Sequence, residues 1–180
     1  VSNGRVLSAH TGMGLVPEIF DQRILSELDR LCRPVPPLAA TNGKHGGPHA
    51  ANPPHPQHRI GCGAIGHNRY STAGGSHSCN AQPLLEQYIG GQVAVAHNGN
   101  LINADLLRQQ FEEAGHLFHT TSDTEVVVHL LASPRQQQTH DPLAATLRHI
   151  QGAFSIVFLF PNRIEAARDP WGWRPLVLGK

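Results

Sequence analysis

An excess of charge of either sign is what this 180-residue chain lacks: 14 Lys and Arg against 13 Asp and Glu leave a formal net charge of +1 with histidine neutral. Such a balance sets up no field for a nucleic-acid backbone or an anionic membrane, so neither is expected as a partner. Long apolar runs are missing too, and none approaches the roughly 20 residues that span a bilayer. The polar opening Val1-Ser-Asn-Gly does not have the form of a secretory signal. Cysteine is scarce: Cys32, Cys62 and Cys79 show no paired spacing, which argues against a disulfide framework and fits reducing surroundings. These absences lead to the expectation of a soluble cytoplasmic protein, long enough for one domain with a sizeable core.

Histidine, by contrast, is abundant, with 13 residues. His45, His49, His55 and His58 fall in one stretch, about 33–58, dense in Pro, Gly, Ala and Asn with Val35 and Leu38 as its large aliphatic residues. That composition buries too little apolar area to offset the entropy of ordering, so a flexible surface insertion is expected. Imidazoles can bind Zn or Ni, but this stretch has neither fixed ligand spacing nor a cysteine, and no metal site is assigned.

Periodicity locates the elements around it. Short strands are expected at Val6–Ala9 and Gly14–Val16. A helix capped by Asp21 follows, with Ile24, Leu25, Leu28 and Leu31 on one face. Ile60–Ile65 and Gln92–Ala96 read as strands, the second running into an Asn98-Gly99 turn. Asn103 is placed to cap a helix ending near Gly115. Ser122 with Glu125 three residues on predicts a capping box, and Asp141-Pro142 opens a further helix. The apolar run 153–160 reads as a central strand covered on both faces, and 164–167 as its neighbour. Periodicity alone gives an α+β class.

Three motifs carry the chemistry: Ile65-Gly-His-Asn-Arg-Tyr-Ser-Thr-Ala-Gly74, Ala96-His-Asn-Gly-Asn100 and Thr121-Ser-Asp-Thr-Glu125. Together they suit a small zwitterion with a reacting carbonyl. Arg69 offers a planar fork for a carboxylate, Asp123 a negative charge for an ammonium, and Asn98 with Gly99 amide donors for an oxyanion. Each also has a plainer reading: a surface ion pair for Arg69, a tight turn for Asn98-Gly99, and a favourable helix-start acid for Asp123. Arg168, Asp169 and Arg174 read as an internal ion-pair network.

These motifs resemble the class II glutamine amidotransferases, over nearly the whole chain except about residues 31–59. Gly12-Met-Gly-Leu-Val16, His97-Asn-Gly-Asn-Leu-Ile-Asn103 and Arg168-Asp-Pro-Trp-Gly-Trp-Arg-Pro-Leu176 narrow it to the branch that feeds ammonia to a phosphoribosyltransferase domain, in the first step of purine synthesis. The resemblance implies a four-layer αββα sandwich of the N-terminal-nucleophile hydrolase type, incomplete at its N-terminus. By the same resemblance Arg69 and Thr72 bind the α-carboxylate side of glutamine, Asp123 its α-ammonium, and Asn98 and Gly99 stabilise the oxyanion. No cofactor is implied for this domain. Magnesium, a C-terminal phosphoribosyltransferase domain and a homo-oligomeric whole enzyme belong to the expected full protein.

The family's nucleophile is a cysteine at the mature N-terminus whose own α-amine is the base. Position 1 here is valine, and Cys32, Cys62 and Cys79 are internal, so the chain as it stands is expected to be inactive. Two alternatives stay open at this point: the glutaminase domain of another class II amidotransferase, and a module that binds glutamine or a partner without hydrolysis.

Overall fold

The computed structural model describes residues 1–33, 62–68 and 77–179. Among the described residues, four antiparallel strands form one sheet in the order β1-β2-β3-β4: β1 (Leu84–Tyr88), β2 (Gly91–Leu101), β3 (Gly152–Phe160) and β4 (Arg163–Arg168). The helices are α1 (Val16–Ile19), α2 (Gln22–Cys32), α3 (Ala104–Glu113), α4 (Asp123–Ala132), α5 (Pro134–Gln137) and α6 (Pro142–Leu147).

Strand alternation sorts the sheet's residues onto two faces. Val93 and Val95 of β2 and Phe154, Ile156, Phe158 and Phe160 of β3 face one way and join Val126, Val127, Leu130, Leu131 and Leu143 in the main core. α4 has Val126, Val127 and Val128 in succession, a run that costs helix propensity. It is tolerated because the helix is packed against α3, α5, α6 and the sheet, with seven of its ten residues buried. On the other face Ala94 and Leu159 pack with Leu7, Ile65 and Leu85. Ser2 ties that side together through isolated bridges to Leu7 and Gly63, and its hydroxyl donates to the Pro161 carbonyl at 2.5 Å.

Several expectations hold. Asp21 caps α2 by accepting from Ile24 N at 2.8 Å, and Asp141 caps α6 by accepting from Ala144 N at 2.9 Å. β3 and β4 lie where the apolar run and its partner are expected. Others need correction. Residues 6–9 form a single bridge rather than a strand, and Val16 opens helix α1, whose early Pro17 and Glu18 favour a helical start. β1 is a strand without an expected counterpart: it shows no clear alternation, with Leu84 buried, Leu85, Glu86 and Tyr88 half-covered and Gln87 exposed. Asn103 stands at the helix start without a capping bond; its side chain instead donates to His149 O and accepts from Gln151 N, both at 2.9 Å.

The Asn98-Gly99 turn is also absent. β2 runs straight through it, with Asn98 opposite Ser155 and Gly99 opposite Phe154. Gly99 takes φ +154° inside the ladder, and a Cβ there would lie 2.1 Å from the Ala153 carbonyl oxygen. Glycine is needed for close approach of two strands, not for a reversal of the chain.

Candidate active site

The end of β2 and the start of α4 meet through one carboxylate. Asp123, first residue of α4, accepts from Leu101 N through Oδ2 at 2.9 Å. Its Oδ1 lies 3.4 Å from His97 Nδ1, and the two side chains are 23% and 1% exposed. Ser122 caps the helix by accepting from Thr124 N at 3.2 Å, so Asp123 is left free of capping duty. Burial, the largest single influence on the Asp123 carboxyl, pushes its pKa up. The bond and charge of His97 and the N–H groups of Leu101 and Thr124 together outweigh it and hold the group below the usual carboxylate range.

A second layer fixes this arrangement. Gln82 accepts from His97 N at 2.6 Å and donates to Thr124 Oγ1 at 3.1 Å, while Thr124 Oγ1 is 3.2 Å from His97 Nδ1. Asn80 clasps the turn before α4, donating to Thr121 Oγ1 at 2.7 Å and accepting from Thr121 N at 2.9 Å. Sequence reasoning passed over Gln82 and Asn80; their only signal is polar side chains just ahead of a strand.

Glu125 differs from the expected capping box. Its buried carboxylate reaches back to His119 N and Thr120 N, each at 2.8 Å, and to Thr120 Oγ1 at 2.7 Å. Ser122 and Glu125 have the spacing of a box, but three donors from the incoming loop compete better for a buried carboxylate than one backbone N–H. Burial raises its pKa, and the bonds from His119 and Thr120, with the charge of His129, bring it below the normal value.

The exit motif is corrected as well. Asp169 is buried and accepts from the backbone N–H groups of Phe154, Trp171, Trp173 and Arg174 at 3.1–3.3 Å. It organises a loop and is not the hub of an ion-pair network.

Of the residues expected to bind or transform substrate, Asn98 is exposed on β2, Gly99 is half-buried beside it, and Asp123 is tied through its bond to Leu101 N to the last residue of that ladder, two residues on from Gly99. Arg69 and Thr72, and most of the His-rich stretch at 33–58, lie outside the described residues. Among the described residues no three His, Cys, Asp or Glu side chains are grouped to hold a metal. The Cys32 thiol, at the end of α2, is raised in pKa by burial first and by neighbouring Cys62 next, which reduces its thiolate fraction and its value as a nucleophile.

In sequence and overall fold the chain is similar to known proteins. Residues 67–180 match the family model described as glutamine amidotransferase domain, and the chain belongs to that family. It is 40% identical over 180 residues to amidophosphoribosyltransferase 2, chloroplastic, of Arabidopsis thaliana, covering 100% of this chain and 27% of the relative. The chloroplastic amidophosphoribosyltransferase of Glycine max is 40% identical over 175 residues, 97% of this chain and 25% of its own length. A solved structure entitled as that of the allosteric regulatory enzyme of purine biosynthesis superposes with a TM-score of 0.70 at 34% identity, over 97% of this chain and 31% of that one. The chain thus spans about a quarter of the length of these plant relatives.

The expected α+β fold, of the N-terminal-nucleophile hydrolase type that the resemblance implies, is borne out as a mixed fold of that type by the superposition. The expected cytoplasmic location is not: the plant relatives that match nearly the whole of this chain are chloroplastic proteins. Unpaired cysteines speak to redox state, which does not choose between reducing compartments.

Proposed function

We propose that this chain is the glutaminase portion of an amidophosphoribosyltransferase. Glutamine docks with its α-ammonium at Asp123 and its α-carboxylate at Arg69, with Thr72 shaping the same side. Asn98 and the Gly99 N–H receive the oxyanion when the side-chain carbonyl is attacked. The attacking group is the N-terminal cysteine of the longer family chain, its α-amine serving as base, and a thioester follows as ammonia leaves. Ammonia passes to a phosphoribosyltransferase portion that uses magnesium and phosphoribosyl pyrophosphate and forms phosphoribosylamine.

One observation supports the pocket above the others: an ionised carboxylate, held by Leu101 N and His97, at the end of the strand that carries Asn98 and Gly99. Structural acids at helix starts need no such second-strand anchor. The test joins this chain to the N-terminal cysteine segment of an amidophosphoribosyltransferase relative and measures glutamate and ammonia from glutamine. Release is expected, and its loss is expected on Asp123→Asn at low glutamine. A folded fusion that turns over no glutamine, or that accepts asparagine equally well, refutes the proposal.

A further inference from the structure

His97 is the described residue with a buried side-chain polar atom that has no partner, its Nε2. The ring is 1% exposed and lies on the helix-facing side of β2. Two tautomers are open to it. With the proton on Nε2, a buried N–H would have no acceptor and Nδ1 would turn a lone pair towards the Asp123 carboxylate. With the proton on Nδ1, that N–H points at Asp123 Oδ1 and Thr124 Oγ1, and the unmet group is an acceptor. An orphaned donor is the rarer and costlier of the two. Thr124 Oγ1 already accepts from Gln82 Nε2, which leaves Asp123 as the better target for the imidazole proton.

The ring cannot easily turn away. Gln82 fixes the His97 backbone, and Gly99 leaves the room in which Nε2 sits, since a Cβ there would come within 2.9 Å of it. Asp123 accepts from Leu101 N at one oxygen and has the His97 Nδ1 3.4 Å from the other. A carboxylate approached at both oxygens by groups fixed on one strand has a preferred plane, and that plane directs its remaining lone pairs.

We propose that His97 is a positioning residue for glutamine, its Nδ1–H holding the Asp123 carboxylate in the orientation that receives the substrate's α-ammonium. This rests on the glutaminase reading for the identity of the ammonium, but the hold on Asp123 is testable without it. Asparagine and glutamine substitutions separate the two ring nitrogens: Asn presents its amide N–H near the position of Nδ1, Gln near that of Nε2. His97→Asn should retain the hold and His97→Gln should lose it, although both are polar and of similar bulk.

Three measurements are made on the chain. Nitrogen NMR of the wild-type ring should show a protonated Nδ1 and a bare Nε2. Carbon NMR of the Asp123 carboxyl should show titration at higher pH in His97→Gln than in wild type, and near wild type in His97→Asn. Glutamine affinity by calorimetry should fall about tenfold in His97→Gln, the worth of part of one charge-assisted bond, and recover in His97→Asn. An Nε2–H tautomer, or identical Asp123 titration in all three proteins, overturns the proposal. A wild-type chain that binds no glutamine refutes the glutaminase reading instead, while the titration still decides whether His97 holds Asp123.

Discussion

Gly99→Ala is the perturbation on which the structure speaks most quantitatively. The new methyl meets three obstacles at once: the Ala153 carbonyl oxygen at 2.1 Å, the Phe154 Cα at 2.8 Å and His97 Nε2 at 2.9 Å. Two of these are backbone atoms of β3, so no rotamer change relieves them. A φ of +154° adds a conformational cost of about 1–3 kcal/mol for any residue with a Cβ. Forced separation of two packed strands adds about 1–3 kcal/mol, as overpacking in cores does. The sum, about 2–6 kcal/mol, corresponds to a fall in melting temperature of roughly 4–24 °C for a chain of this size at about 2–4 °C per kcal/mol. Thermal unfolding followed by circular dichroism measures it, with Gly66→Ala as control, because a Cβ at Gly66 meets nothing within 4 Å. If the two variants melt within a degree of each other, β2 does not run through Gly99 as a strand, and the close approach of β2 and β3 is wrong.

Three further outcomes are expected. In a form of the chain with the family's N-terminal cysteine, Asp123→Asn should raise the apparent glutamine constant by the value of a charge-assisted contact, about 1.5–3 kcal/mol or roughly 10- to 150-fold; steady-state kinetics read this, and a variant with altered stability but unchanged glutamine kinetics would make Asp123 a helix-dipole partner only. Glu125→Gln should destabilise by about 2–4 kcal/mol in urea unfolding, since an amide cannot accept at both oxygens from His119, Thr120 and the Thr120 hydroxyl. His129, lowered in pKa by burial first and by His116 next, faces His116 Nδ1 at 3.0 Å, Glu125, Arg108 and His119. The folded state resists its protonation, so stability is full above the ordinary histidine pKa and declines as pH falls below it; His129→Gln should flatten that part of the stability profile, and an unchanged slope would place its origin elsewhere.

Elements with strong local signals were legible. The Asp21 and Asp141 caps and the run from Ala153 to Phe160 each carry their instruction within a few residues. Three features were not, and for a common reason. Whether Asn98-Gly99 turns or extends depends on β3 lying alongside; whether Glu125 caps α4 or anchors residues 119–120 depends on burial; whether Asp169 pairs with arginines depends on four N–H groups arriving first. Local spacing names the residue types, and tertiary neighbours choose among the bonds they can make. At the candidate site the motifs pointed to Asp123 and to the 97–100 stretch, but the second layer of Gln82, Asn80 and the inward ring of His97 has no spacing rule that finds it.

Asp123, Glu125 and Asp169 share a construction. Each is an acid near the start of a helix or loop, each takes at least one backbone N–H from outside its own turn (Leu101 for Asp123, His119 and Thr120 for Glu125, Phe154 for Asp169), and each is lowered in pKa against the upward push of burial. A carboxylate whose folded pKa lies below its unfolded one contributes stability above the ordinary carboxylate range, and that contribution is lost as pH falls through the folded value. Acid should therefore loosen three connections, each as pH falls through the folded value of its own carboxylate: β2 to α4 at Leu101, the loop at 119–120, and the turn carrying Trp171 and Trp173. The same condition bears on chemistry. An ammonium is bound by a carboxylate only while that carboxylate is ionised and aimed, and at Asp123 the fold's own donors secure both before any ligand arrives. The helix-start reading and the proposed substrate reading of Asp123 thus draw on a single cause, the preference of fixed N–H groups for negative charge, and under that proposal one position would serve folding and recognition together.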